Sequence, residues 1–303
     1  MHSAETLKVS DARSLRPAYE AVGGQRLVSR SGRWPSPYRR GTSVTRQPSR
    51  FFVFEERPVG EIRMRKRLWI LLTALLILVV GVAPALAITF GQPDGDGHPN
   101  VGAMIVEHPD ETYWLYCSGT LIAPDVFLTA SHCTGAAAAS GAAPHDVYVS
   151  FDPNCGGAWH RGTYDVNPNY GHDMHDLNDV AVIVLDEPIP STMEDPVSGI
   201  DPAQLPPAGL LDAMKKDHAL KGQTFVTVGY GALRDDKTGG WHAIGDAGER
   251  YYAEQTFQAL KPYWLQISMN PSTGNGGTCY GDSGGPHFLG DSDIVVSLTV
   301  TGD

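Results

Sequence analysis

The sequence predicts an all-β fold from Ile88 to Asp303, and three observations predict it. Short apolar runs, many of them alternating and rich in Val, Ile, Thr and Tyr, recur through this stretch. Clusters of Gly, Pro, Asn and Asp separate them. Only Ala208–Ala219 reads as a helix, so a sandwich or barrels is expected rather than a βαβ fold.

The runs fall into two groups. The first holds Val101–Val106, Trp114–Ile122, Val126–Thr129, Val147–Phe151, Trp159–Val166 and Val180–Leu185. The second holds Thr224–Tyr230, Tyr251–Phe257, Trp264–Ser268, Pro286–Leu289 and Ile294–Val300. Between them, Asp186–Gln223 lacks strands and carries six prolines up to Pro207, as a connection between two β units would. Pro206-Pro207 marks the start of the one helix. Gly135–Pro144 is an Ala-rich loop or a single helical turn. The expected division is 88–200 for the first β unit and 201–303 for the second.

Of the 303 residues, 42% are hydrophobic and 19% charged, as in a folded globular chain. The net charge of −11 averages two opposite parts. Residues 1–63 carry a net of +6, and residues 88–303 a net of −20. An acidic body of this kind disfavours a phosphate-binding face, so no nucleic-acid partner is expected. Four cysteines are too few for a disulfide-dense miniature scaffold.

Arg65-Lys66-Arg67, the apolar run Leu68–Val82 and the small-residue end Ala85-Leu86-Ala87 have the order of a secretory signal peptide. Residues 64–87 are therefore expected to direct export and to be cleaved after Ala87. The protein would be secreted, meeting the membrane only in transit. If the apolar segment 68–90 stays uncleaved, the body is instead membrane-anchored on the outer side. The basic stretch 1–63 shows no sustained period and is expected to be disordered or not translated, with Met64 the true start.

The chemistry concentrates at three places. Thr129-Ala130-Ser131-His132-Cys133 follows a strand, Leu177-Asn178-Asp179-Val180-Ala181 opens one, and Cys279 to Pro286 is a glycine-rich turn around Ser283. Serine needs an adjacent base to act as a nucleophile near neutral pH. Imidazole fits that task, and a buried carboxylate holds its tautomer and stabilises its cation. Glycines beside the serine let backbone N–H groups face a developing oxyanion. His132 is the candidate base, Asp179 the orienting carboxylate and Ser283 the nucleophile, with the amides of Gly281 and Ser283 as the oxyanion hole. Gly281-x-Ser283-x-Gly285 also satisfies the elbow pattern of α/β-hydrolases. That fold needs an acid and then a histidine after the serine, whereas only His287 follows here.

These three motifs, in this order, resemble the trypsin-like (chymotrypsin-fold) serine proteases of a bacterial secreted kind, over residues 88–303. The resemblance implies two antiparallel six-stranded β-barrels with the site in the cleft between them. It implies endopeptidase action on protein or peptide substrates through an acyl-enzyme, without a cofactor or metal. It also implies that a new N-terminus at Ile88 inserts its ammonium beside Asp282. Cys117 and Cys133 stand at the family's disulfide beside the catalytic histidine, and a metal site lacks supporting spacing. Gly277, Thr278 and Ser297 fall at the specificity pocket. Gly277 puts no charge at its floor, so an apolar or small residue rather than Arg or Lys is expected there. His172 and His175, near Asp173 and Asp176, could hold a metal but read better as a polar loop.

The family continues about fifty residues beyond its serine, whereas 20 follow Ser283 here. The second barrel is therefore expected to be incomplete, with an open edge. Cys155 and Cys279 have no obvious match; they could pair with each other, stay free or bridge two chains. A catalytically impaired secreted homologue that binds other proteins is the alternative reading.

Overall fold

The structure is a computed structural model that describes residues 3–8, 25–26, 88, 90–171, 176–232 and 248–301. All of these belong to one compact unit. Residues 64–87, expected to be a signal peptide, and His172, Asp173, His175 and Asp303 lie outside the described residues.

Fourteen strands and two short α-helices are described, in chain order β1 (Ser3–Lys8), β2 (Gln25–Arg26), β3 (Gln92–Pro93), β4 (Val101–Glu107), β5 (Tyr113–Ala123), β6 (Val126–Thr129), α1 (Ser131–Ala139), β7 (Val147–Ser150), β8 (Trp159–Tyr164), β9 (Ala181–Leu185), α2 (Leu210–Lys216), β10 (Thr224–Gly229), β11 (Tyr251–Leu260), β12 (Trp264–Ser268), β13 (Pro286–Leu289) and β14 (Val295–Thr299). The all-β expectation holds, and both strand groups form where the alternating runs stand. Helix α1 is longer than the expected single turn and starts earlier, at Ser131. Its Ala run has the highest helix propensity, and Cys133 and Ala137 face the core. Helix α2 lies inside the Ala208–Ala219 expectation and begins after Gly209, whose φ is +76°.

Strands β5-β4-β7-β8-β9-β6 run in that order, and β5 also pairs with β6, so the first sheet closes into a six-stranded barrel. Strand β2 adds at β5. Met104, Val106, Leu121, Phe127, Val147, Val149 and Ile183 share one buried cluster in this first unit. Gly102 belongs there for want of room: a Cβ would press on Val149, Phe127 and Phe151.

The second sheet runs β10-β13-β14-β1-β12-β11, and β10 also pairs with β11, so it too is a closed six-stranded ring. The edge expected to be open is occupied. Residues 3–8, expected to lie outside the fold, form the strand between β12 and β14. Strand β3 extends the same sheet at β11. Phe225, Leu260, Leu265, Ile267, Met269 and Val296 form a core cluster in this unit. A separate cluster joins Val101, Ala103, Leu115 and Leu128 of the first barrel to Val226, Val228, Phe288 and Leu298 of the second. Apolar contact therefore holds the barrels face to face.

Arg250, at the start of β11, ties the barrels by polar bonds. It is 1% exposed and donates to the carbonyls of Val101 and Phe151 in the first barrel. It also donates to the Asp94 carboxylate at 2.7 Å and to the carbonyl of Gly95. A guanidinium is tolerated at such depth because it is paired and hydrogen-bonded at each of these donors.

Candidate active site

Strand β6 ends at Thr129, and the chain turns directly into α1, so His132 sits in the first helical turn. There the Asp179 carboxylate makes two bonds to one residue. Its Oδ1 accepts the His132 amide at 2.8 Å, and its Oδ2 faces His132 Nδ1 at 2.7 Å. A carboxylate at a helix N-terminus is also favoured by the free amides and the helix dipole. The Asp179 side chain is 4% exposed and the His132 ring 17%. Burial disfavours the His132 cation, but the Asp179 charge and hydrogen bond outweigh it and hold the ring's pKa above its ordinary value. With Nδ1 engaged, Nε2 is the nitrogen left to exchange protons toward the cleft.

The disulfide between Cys117 and Cys133 joins β5 to α1, next to His132. Closing a loop with a separation of 16 residues contributes about 3 kcal/mol. Cys117, His132 and Cys133 are the one grouping of possible metal ligands among the described residues, but the disulfide consumes both thiolates. Cys155 and Cys279 form no disulfide.

Ser283 is half-buried on the turn between β12 and β13. Gly281 has φ +95° and Gly284 φ +78°, both in the left-handed region that favours glycine. A Cβ on Gly284 would also run into the Thr129 hydroxyl and the Ser118 carbonyl. Among the described residues, the amides of Gly281 and Ser283 donate to no protein acceptor, as donors awaiting an oxyanion require.

The turn is clamped from both barrels. From the first, the Ser118 amide donates to the Ser283 carbonyl at 2.9 Å, and Ser118 Oγ donates to the Gly281 carbonyl at 2.9 Å. The same hydroxyl accepts from the Tyr230 amide. From the second, Gly284 donates to the Thr299 carbonyl at 2.7 Å and Thr299 donates to the Gly285 carbonyl at 2.9 Å. Sequence reasoning missed Ser118. Its only signal is adjacency to Cys117, because its role depends on a contact 163 residues away in the chain.

The structure does not bring Ile88 to Asp282. In the continuous chain Ile88 carries no ammonium, and its side chain is buried with Tyr251 and Ala253. The Asp282 carboxylate is fully buried. It accepts the amides of Gly231 at 2.8 Å and Cys279 at 2.7 Å. Burial dominates those bonds and pushes its pKa up to about 7.

Gly277 is buried, and a Cβ there would meet the Met269 side chain. Thr278 is buried beside it. Ser297 is buried on β14 opposite His287. The β13–β14 register makes Thr299, two residues on, the one that reaches the serine turn. His287 is fully buried, and that burial drives its pKa down to about 3.

The family model described as Trypsin matches residues 94–302. The chain belongs to the trypsin family. Two solved structures resemble this trypsin-family chain. HL collagenase is 19% identical, with a TM-score of 0.46, covering 69% of this chain and 84% of its own. Granzyme C (GrC) is 16% identical, with a TM-score of 0.48, covering 67% and 84%. None of the curated proteins compared with the chain matches it. The family makes the protein a serine-type hydrolase of protein or peptide substrates and accords with its two barrels.

Proposed function

We propose that the protein is a secreted serine endopeptidase working through His132, Asp179 and Ser283. The observation that carries the reading is the pair of hydrogen bonds that the Asp179 carboxylate makes to the amide and ring of His132, together with a serine turn clamped by Ser118 and Thr299. His132 Nε2 takes the Ser283 proton as Oγ attacks the scissile carbonyl. The amides of Gly281 and Ser283 meet the oxyanion of the tetrahedral intermediate. His132 then gives the proton to the leaving amine, and an acyl-Ser283 ester remains. Water, deprotonated by His132, hydrolyses that ester and restores the site.

Export through residues 64–87, with cleavage after Ala87, completes the proposal. The free Ile88 ammonium is then the cation that buried Asp282 lacks. Leaving the apolar contact with Tyr251 and Ala253 is offset by neutralising a buried carboxylate. The uncharged surroundings of Gly277 favour apolar or small P1 residues over Arg or Lys.

The test is the intact mass of the protein before and after a fluorophosphonate probe, beside Ser283→Ala. One adduct, absent from the variant, is expected. A soluble, folded chain that takes no adduct overturns the endopeptidase reading in favour of a non-catalytic binding homologue. An unlabelled mass starting away from Ile88 overturns the terminus assignment.

A further inference from the structure

We infer that the second barrel holds an internal water site centred on Thr227 and His287, whose water bridges β10, β13 and β14 behind the serine turn. The ladder puts the residues of this site on one face. Thr227 stands opposite His287, and His287 opposite Ser297. On β11, Ala253 stands opposite Thr227 and Gln255 opposite Phe225. Thr299 lies two residues beyond Ser297. Phe225 shares a face of β10 with Thr227 and belongs to the apolar core of this barrel, so the row points inward.

The row is polar where the rest of that core is apolar. Thr227, Gln255, His287 and Ser297 are fully buried, and Thr299 is 3% exposed. Nine buried side-chain polar atoms lack a hydrogen-bond partner among the described residues, and five of them belong to this row. They are Thr227 Oγ1, Gln255 Oε1, Thr299 Oγ1 and both ring nitrogens of His287. Buried polar atoms are rarely left unpaired, and each one so left costs the desolvation of its group. Scattered singly, such atoms would say little. Grouped on one sheet face, they call for a ligand that serves several at once.

The chemistry selects water. Burial keeps the imidazole neutral, with its pKa down at about 3. A neutral ring has one N–H donor and one bare nitrogen, so its two sides need opposite partners. Water both donates and accepts, and a threonine hydroxyl turns to meet it either way. The side chains flanking the ring are short. Thr227, Ser297 and Ala253 stand where the neighbouring core carries Phe225, Leu265 and Met269. Space beside the ring is thus lined by polar atoms.

His287 lies four residues past Ser283, and the Thr299 backbone bonds Gly284 and Gly285. The bridged strands are therefore the ones that carry the serine turn. The water site itself does not depend on the serine-hydrolase reading.

The experiment uses the full chain, in a high-resolution crystal structure. An ordered water within hydrogen-bond distance of a His287 ring nitrogen and of the Thr227 or Thr299 hydroxyl is expected. A ring bonded directly to those hydroxyls, or a dry row, overturns the inference. Thr227→Val keeps the shape and removes one water partner. In a chain with isotope-labelled histidine it should move the ring-nitrogen resonances of His287, and unmoved resonances overturn the assignment of Thr227 to the site. Urea midpoints are then compared for Thr227→Val, His287→Leu and the double variant. Two residues that share a water should lose less together than the sum of their separate losses. Additive losses overturn the shared site. If His287→Leu fails to fold, the resonances of Thr227→Val decide.

Discussion

Asp282 makes the stability of the uncleaved chain fall as pH rises. Its carboxyl has an ordinary value of 3.8 and is pushed up to about 7 by burial without a cation. Between those values the folded state binds a proton that the unfolded state has lost. The contribution is complete below pH 3.8 and disappears as pH climbs through about 7. A span of about 3 units at 1.36 kcal/mol per unit gives about 4 kcal/mol as a ceiling. With a urea slope near 2 kcal/mol per molar, that is a midpoint change of about 2 M.

Other groups titrate in the same range, so the measurement is a difference. Urea midpoints from pH 4 to 8.5 are compared for Ser283→Ala and for Ser283→Ala with Asp282→Asn. The asparagine loses an acceptor for the Gly231 or Cys279 amide, a cost that does not vary with pH. The parent's midpoint should drop relative to the double variant as pH rises, and then level off. Parallel profiles would refute the reasoning. A chain starting at Ile88, with its ammonium on Asp282, should lose the slope.

Three further outcomes are expected. Fluorophosphonate labelling needs neutral His132 and should fade as pH falls through a midpoint above 6.5, because Asp179 raises the ring's pKa; Asp179→Asn should lower that midpoint and slow labelling by about four orders of magnitude. Ser118→Ala removes the donor to Gly281 and the acceptor of Tyr230, so urea unfolding should show a loss of about 1–3 kcal/mol and labelling should slow. His287 has its pKa depressed to about 3, so it contributes stability above pH 6.5 that is lost as pH falls; His287→Leu should flatten the acid limb of the urea-midpoint profile.

The strands were legible where local pattern and tertiary role agree. Val126–Thr129, Trp264–Ser268 and Pro286–Leu289 stand at their expected bounds, because alternation and β-branched residues suit a barrel wall. The pairing of Asp179 with His132 was legible because each sits in a short motif. What escaped depends on distant contacts. Residues 3–8 are a polar mixture without a period, and their strand is defined by partners near residues 266 and 298. Ser118 has no motif of its own. Thr299 has no motif either; its bonds to Gly284 and Gly285 follow from the β13–β14 pairing.

Arg250 has a consequence for how the molecule comes apart. Its guanidinium leaves one barrel and ends on main-chain oxygens of the other. Neither barrel can melt alone without stranding a buried cation or the carbonyls that receive it. The two halves are riveted into one cooperative unit, so heating should give a single calorimetric peak. A protease that opens only as a whole offers few partly unfolded forms to its own active copies. For the proposed endopeptidase, that would limit digestion of one copy by another.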